Sequence, residues 1–324
     1  MEENQKMRIL IGGGAGYIGS ALVPVLLEHS YDVTVIDLLW FGNHLPKEVK
    51  VIQKDLFDCT VDELKGYDQF IFLAGLSNDP MAEYSPAKNF ISNGALPAYL
   101  AFEAKRAGIK RFIYASSCSI YGYTVNELYS EDSPVTCDYP YGISKLQGER
   151  GVFQMLDKQF SCIALRQGTI CGYSPRMRFD LIINTMFKAA MTESKIIINN
   201  PSIWRPIYDI KDAVSAYLRA VQADMSISGV FNVTTDNYTV GQVGDFVKQE
   251  IEDLTGNKIL LDIRNIHDFR NYKVNFEKAQ TILGFTPQGS IRSIIHDLYF
   301  NKDSFGDFND ISYYNLLVFK QLKS

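Results

Sequence analysis

Arg8-Ile9-Leu10-Ile11, then Gly12-Gly13-Gly14-Ala15-Gly16-Tyr17-Ile18-Gly19, then the apolar-periodic stretch Ala21 to Leu27, decides the fold. A short β-branched run leads straight into glycines and then into a helical pattern, the strand–turn–helix context in which a glycine fingerprint carries meaning. Gly13 permits the tight turn, Gly16 lets backbone approach a pyrophosphate, and Gly19 lets the helix pack against the strand. The helix N-terminus adds N–H groups and a partial positive charge for the anion.

Outward from this unit the same alternation continues. Asp32-Val33-Thr34-Val35-Ile36, Gln69-Phe70-Ile71-Phe72-Leu73, Arg111-Phe112-Ile113-Tyr114 and Cys162-Ile163-Ala164-Leu165 are short, apolar and spaced widely enough for crossover helices. The pattern predicts an α/β fold with a doubly wound parallel sheet (Rossmann). After about residue 170 it breaks into Gly/Pro-punctuated pieces, with a return to the sheet at Gly229-Val230-Phe231-Asn232-Val233 and a helix over Val240 to Leu254. We therefore expect residues 1–170 and 206–236 to form the dinucleotide-binding domain. Residues 171–205 and 237–324 are expected to form a smaller, interrupted C-terminal substrate domain. The tail after Asn301, rich in Asp, Asn, Phe and Tyr, has no clear period and is compatible with loop, short helix or oligomer contact.

Composition bounds the function. The chain has 324 residues, 46% hydrophobic and 21% charged, enough apolar surface to offset chain entropy, so global disorder is excluded. Lys+Arg 32 against Asp+Glu 37 gives a net charge of −5, no general attraction for nucleic acid or an anionic membrane. No apolar run reaches the roughly 18 residues of a membrane span, and the polar start Met1-Glu2-Glu3-Asn4-Gln5-Lys6 is unlike a signal peptide. A cytoplasmic protein is expected. Cys59, Cys118, Cys137, Cys162 and Cys171 are scattered without C-x-x-C, and His29, His44, His267 and His296 lack metal spacing, so neither disulfides nor a metal is expected.

Asp37 ends the second strand, 18 residues after Gly19, near the distance at which an acid meets the adenine ribose hydroxyls. A carboxylate there repels a 2′-phosphate and favours NAD over NADP. Asp55-Leu56, after the third strand, are candidates to meet the adenine. Tyr141-Gly142-Ile143-Ser144-Lys145 opens a helical stretch and sets Tyr141 and Lys145 on one face, one turn apart. A tyrosine base needs a depressed pKa, which Lys145 and a positive nicotinamide ring can provide. Tyr114-Ala115-Ser116-Ser117-Cys118-Ser119-Ile120-Tyr121-Gly122 carries hydroxyls just past the fourth of these runs, at the carboxyl edge where open α/β sheets bind ligands.

In this order and spacing the chain resembles an extended short-chain dehydrogenase/reductase of the nucleotide-sugar epimerase/dehydratase family. The resemblance rests on the glycines of 13–19, Leu73-Ala74-Gly75, Asn93, the Ser116–Gly122 segment, Tyr141-x-x-x-Lys145 and Arg205-Pro206-Ile207-Tyr208-Asp209-Ile210-Lys211-Asp212. It implies that Ser117 hydrogen-bonds the reacting sugar oxygen, Tyr141 is the acid/base, and Lys145 holds the nicotinamide ribose and lowers the tyrosine pKa. Gly13, Gly16, Tyr17, Ile18, Leu73, Ala74, Gly75 and Asn93 would line the cofactor. The substrate side would take Ser117, Cys118, Ser119 and Thr169, with Cys118 treated as packing and not as a nucleophile.

Departures narrow the chemistry. The dehydratase branch carries Asp-Glu after the hydroxyl residue; Cys118-Ser119 stand here, which disfavours a 4,6-dehydratase. Phe72-Leu73-Ala74-Gly75 replaces His-Leu-Ala-Ala, and Thr169 replaces a frequent substrate-side Asn. Ser174-Pro175-Arg176-Met177-Arg178-Phe179-Asp180-Leu181-Ile182-Ile183-Asn184 and Asp268-Phe269-Arg270-Asn271-Tyr272 resemble a subset that includes a GDP-heptose C4 dehydrogenase. Arg205 and Arg270 match diphosphate-contacting arginines, Asn184 an amide on the same group, and Arg176 is a further candidate, since a guanidinium can give two parallel hydrogen bonds.

The expected activity is NAD-dependent oxidation at C4 of a nucleotide-diphosphate sugar, as a 4-epimerase or C4 dehydrogenase. Intact Ser117, Tyr141 and Lys145 argue against a non-catalytic scaffold, and the chain length with Arg205 and Arg270 against a reductase of small carbonyl compounds. The resemblance also implies a homodimer paired through the helices around Pro97 to Ala107 and Tyr141 to Leu156.

Overall fold

A computed structural model describes residues 6–266 and 270–322, leaving aside the side chains of 124–126. Met1 to Gln5 of the polar start, His267, and Asp268 and Phe269 of the Arg270 segment lie outside the described residues.

Seven strands form one sheet: β1 (Arg8–Gly12), β2 (Asp32–Asp37), β3 (Lys50–Gln53), β4 (Gln69–Phe72), β5 (Arg111–Ser117), β6 (Ser161–Gln167) and β7 (Gly229–Val233). Their order is β7-β6-β5-β4-β1-β2-β3, and every pairing is parallel. The strand alternation feeds two cores. Ile9, Ile11, Val35, Ile71, Ile113 and Ile163 face one layer of helices. Leu10, Ile36, Phe70, Phe72, Phe112 and Tyr114 face the other. Burial on both faces is why these strands are continuous apolar runs.

Helix α1 (Tyr17–Glu28) follows the glycine turn and buries Leu22, Val23 and Leu26 on the first layer. Helices α2 (Leu96–Arg106) and α3 (Pro140–Phe153) pack on the second, burying Leu100, Ala104 and Val152. Pro140 opens α3 at a position where its missing N–H is not needed.

Beyond β6, small sheets build the other wall of a cleft. Trp204–Asp209 runs between Thr169–Cys171 and Asp236–Thr239, which brings Thr169 and Arg205 to the same edge. The helix over Val240–Thr255 covers a separate core with Phe187, Ile196 and Ile294. The tail has no period because its rings are delivered by separate turns. Phe305, Phe308 and Tyr313 gather on Phe179 at centroid distances of 5.0–5.2 Å, and the chain then forms α4 (Asn315–Gln321). No helix among the described residues is long and apolar enough to cross a membrane.

Candidate active site

At the carboxyl ends of the strands lies a cleft of about 930 Å³, open on both sides of β1, where the strand order reverses. Gly13, Gly16, Tyr17, Ile18, Asp37, Asp55, Leu56, Leu73, Ala74 and Gly75 line its first half. Gly13 has φ +79°, and a Cβ there would lie 2.5 Å from the Ala74 nitrogen. At Gly19 a Cβ would come within 2.1 Å of the Gly14 oxygen. The turn and the β4 end are thus packed backbone to backbone, and around Gly16 only the Gly13 carbonyl stands close. This shallow cradle at a helix N-terminus fits a dinucleotide pyrophosphate.

Asp37 reaches the cleft from the end of β2. Its carboxylate accepts from the Leu39 nitrogen at 2.8 Å and the Ala15 nitrogen at 3.0 Å, while burial pushes its pKa upward. Asp55 caps the next turn by accepting from the Phe57 nitrogen at 3.0 Å. The Tyr17 hydroxyl donates to the Gly172 carbonyl at 2.6 Å, fastening the glycine turn to the far wall. Asn93 does not line the cleft. It is fully buried, donates to the Leu76 carbonyl at 2.8 Å, and sets Oδ1 where a Cβ on Gly75 would fall.

The reacting end is built by β5 and α3. Ser117 closes β5, and its hydroxyl donates to the Ser119 hydroxyl at 3.0 Å. Tyr141 and Lys145 lie on the inner face of α3, with the Lys145 ammonium 5.9 Å from the Tyr141 ring centre and donating to the Ala115 carbonyl at 2.9 Å. Burial lowers the Lys145 pKa to about 8. The same burial raises that of Tyr141, reinforced by the nearby Asp79 carboxylate and opposed by Arg178. Burial of the phenol thus works against the depression expected from Lys145 and the nicotinamide ring.

One turn further, Glu149 continues the same helix face. It accepts from Ser116 at 2.7 Å and from Arg166 at 2.6 and 3.0 Å, and both charges are buried. Its pattern was present in the sequence as the third member of a four-residue series, Tyr141, Lys145, Glu149.

Of the residues expected to hold substrate, Ser117, Ser119, Thr169, Arg176, Arg205 and Arg270 line the cleft. Arg205 donates to the Arg270 carbonyl, so the two arginines are neighbours, and Arg270 pairs with Asp79 at 2.7 Å. Two expected residues do not reach it. Cys118 is fully buried with its thiol on the Arg166 carbonyl at 3.1 Å, because it opens the 3₁₀ turn Cys118–Tyr121 that follows β5 and leads away from the cleft. Asn184 is fully buried too, with its amide holding the Gly172 nitrogen and the Arg178 carbonyl at 2.9 and 2.8 Å. The sequence reading missed Asp79 and the Arg178–Asp180 pair (2.8 Å), all of which line the cleft. An Arg-x-Asp between two apolar residues was the available signal.

Comparisons agree with this architecture. The family model for the NAD dependent epimerase/dehydratase family matches residues 9–234. A UDP-glucose 4-epimerase of Corynebacterium glutamicum is 26% identical over 93% of this chain and 97% of its own. One from Lactobacillus helveticus is 26% identical over 87% and 92%. Among solved structures, MoeE5 in complex with UDP-glucuronic acid and NAD superposes with a TM-score of 0.81 at 26% identity, covering 92% of this chain and 100% of that one. A UDP-glucuronic acid 4-epimerase from Bacillus cereus shares the fold, with a TM-score of 0.80 at 21% identity, over 92% and 99%. With the matched residues running from β1 to the end of β7, through the glycine turn, Ser117, Tyr141 and Lys145, the chain belongs to the NAD dependent epimerase/dehydratase family.

Proposed function

We propose that this enzyme oxidises C4 of a nucleotide-diphosphate sugar, with a 4-epimerase or a C4 dehydrogenase as the outcome. The observation that carries the reading is the convergence of Ser117, Tyr141 and Lys145 at one end of a cleft whose other end is the glycine cradle and whose far wall holds Arg205 and Arg270. When bound, NAD supplies the acceptor for the hydride leaving the sugar carbon. Tyr141 takes the hydroxyl proton, Ser117 holds the oxygen as it becomes a carbonyl, and Lys145 keeps positive charge beside the phenol. UDP-sugars are the first substrates to try, since the similar curated proteins act on UDP-glucose. Incubation with a panel of nucleotide sugars, with products identified by NMR, tests the reading; an unchanged panel contradicts it.

Asp37 should make NAD bind at least ~10-fold tighter than NADP, equivalent to about 1.4 kcal/mol. Direct titration with NADP binding equally well would overturn that role.

The diphosphate must be held by local cations, because the net charge is −5. Arg205→Ala or Arg270→Ala should each cost about 1.5–3 kcal/mol of substrate binding, a ~10- to 150-fold rise in Kd. NAD affinity should change little. Loss of NAD binding with unchanged sugar-nucleotide binding would mean the two pyrophosphate sites are exchanged.

A homodimer is part of the same proposal. Tyr99 and Phe102 on α2, and Ile143 on α3 with Leu156 just beyond it, are exposed apolar side chains on the two expected pairing helices. Sedimentation should give twice the chain mass, and a monomer at micromolar concentration would refute it.

A further inference from the structure

The reacting end of the cleft carries a charge that works against its own chemistry. Asp79 opens the short helix Asp79–Tyr84, soon after β4, and lines the cleft. After burial, its carboxylate does most to raise the pKa of Tyr141, so it stands near the phenol and makes that phenol harder to ionise. Its Oδ2 accepts from Arg270 at 2.7 Å, while Oδ1 is buried without a hydrogen-bond partner among the described residues. The nearest comparable pair is closed on itself. Arg178 donates to Asp180 at 2.8 and 3.0 Å, and Asn78 donates to the same carboxylate at 3.1 Å. The Lys145 ammonium donates to the Ala115 carbonyl at 2.9 Å, and Arg176 donates to Asn315 at 2.5 Å. Asp79 is therefore a carboxylate with one side bonded and the other bare, beside the group proposed to take a proton.

In the C4 reading, on which this inference rests, Arg270 faces the diphosphate and Tyr141 faces C4. A pyranose carries its diphosphate on C1, across the ring from C4, so the ring lies between Arg270 and Tyr141. Asp79, bonded to the first and close to the second, runs beside it. Once the diphosphate shares Arg270, the Asp79 carboxylate is the least compensated charge along the ring. We propose that Asp79 is a specificity-determining residue, which admits neutral, hydroxyl-bearing sugars and rejects those that carry a carboxylate at C6. A ring hydroxyl can donate to a carboxylate. A uronate instead brings a second negative charge toward a side chain only 16% exposed, where like charges repel over several ångströms without contact. A carboxylate that hinders the base and excludes a competitor has its use in the exclusion.

The test is calorimetric titration of the NAD-loaded protein with matched pairs that differ only at C6: UDP-glucose with UDP-glucuronic acid, and GDP-mannose with GDP-mannuronic acid. Wild type and Asp79→Asn are compared, with Asp79→Ser in reserve should the first variant fail to fold. For the pair carrying the accepted base, the wild type should bind the neutral sugar at least ~10-fold tighter than the uronate. Asp79→Asn should narrow that gap to less than ~3-fold by tightening the uronate. A tighter uronate is the decisive sign, because a variant that merely disturbs the site weakens both members alike. Equal affinities in the wild type, a gap that survives the loss of the charge, or parallel weakening of both members would each overturn the role of Asp79. Failure of every member of both pairs to bind is a separate outcome, which would overturn the sugar-nucleotide reading and this role with it.

Discussion

Tyr141→Phe should lower turnover by roughly 10²- to 10⁴-fold, the usual cost of deleting a positioned general acid/base. The substitution removes one oxygen and keeps the ring, so the contact with the Lys145 ammonium and the packing of α3 survive. What disappears is the hydroxyl proposed to accept the proton. Cofactor affinity should hardly move, because the glycine cradle and Asp37 lie at the other end of the cleft. Turnover at the parent rate would show that another group takes the proton.

Glu149→Ala should be the costliest change to the fold among these site residues, at about 3–5 kcal/mol. Glu149 and Arg166 have side chains 5% and 7% exposed, and Glu149 also accepts from Ser116. Truncation leaves the guanidinium buried with its carboxylate partner gone, and Ser116 loses its acceptor. The damage falls between β5, β6 and α3, the three elements that set the spacing of Ser117, Tyr141 and Lys145. Urea denaturation measures it. A loss below about 1 kcal/mol would mean that water or the Tyr121 hydroxyl, 2.9 Å from Arg166, satisfies the cation.

The same residues show how far sequence reading reaches. The sheet was legible because strands buried on both faces leave apolar runs, and Gly13 to Gly19 because a backbone that excludes a Cβ restricts residue choice. Tyr141 and Lys145 were legible as neighbours on one helix face. Glu149 shares their spacing, yet its role depends on Arg166, delivered by a different strand, and such pairing leaves no local trace. Cys118 shows the opposite failure, since adjacency to Ser117 suggested the cleft while the 3₁₀ turn after β5 sends its side chain into the core. Asn184 was placed by its match to a family amide, and its side chain is consumed in tying Gly172 to Arg178. In the tail, Phe305, Phe308 and Tyr313 converge on Phe179 from separate turns, and α4 is held by Trp40, Ser77 and Arg176 from three distant segments. No periodicity could announce such contacts.

The most direct test is isotopic. The NAD-loaded enzyme is incubated with nucleotide sugars carrying deuterium at C4, UDP-glucose first, and the cofactor is extracted and examined by mass spectrometry under single-turnover conditions. Deuterium on the nicotinamide, formed by the parent enzyme and abolished by Tyr141→Phe, is the result expected if Tyr141, Ser117 and Lys145 draw a hydride from that carbon. Deuterium that stays on every sugar of the panel while the cofactor remains unlabelled would contradict it.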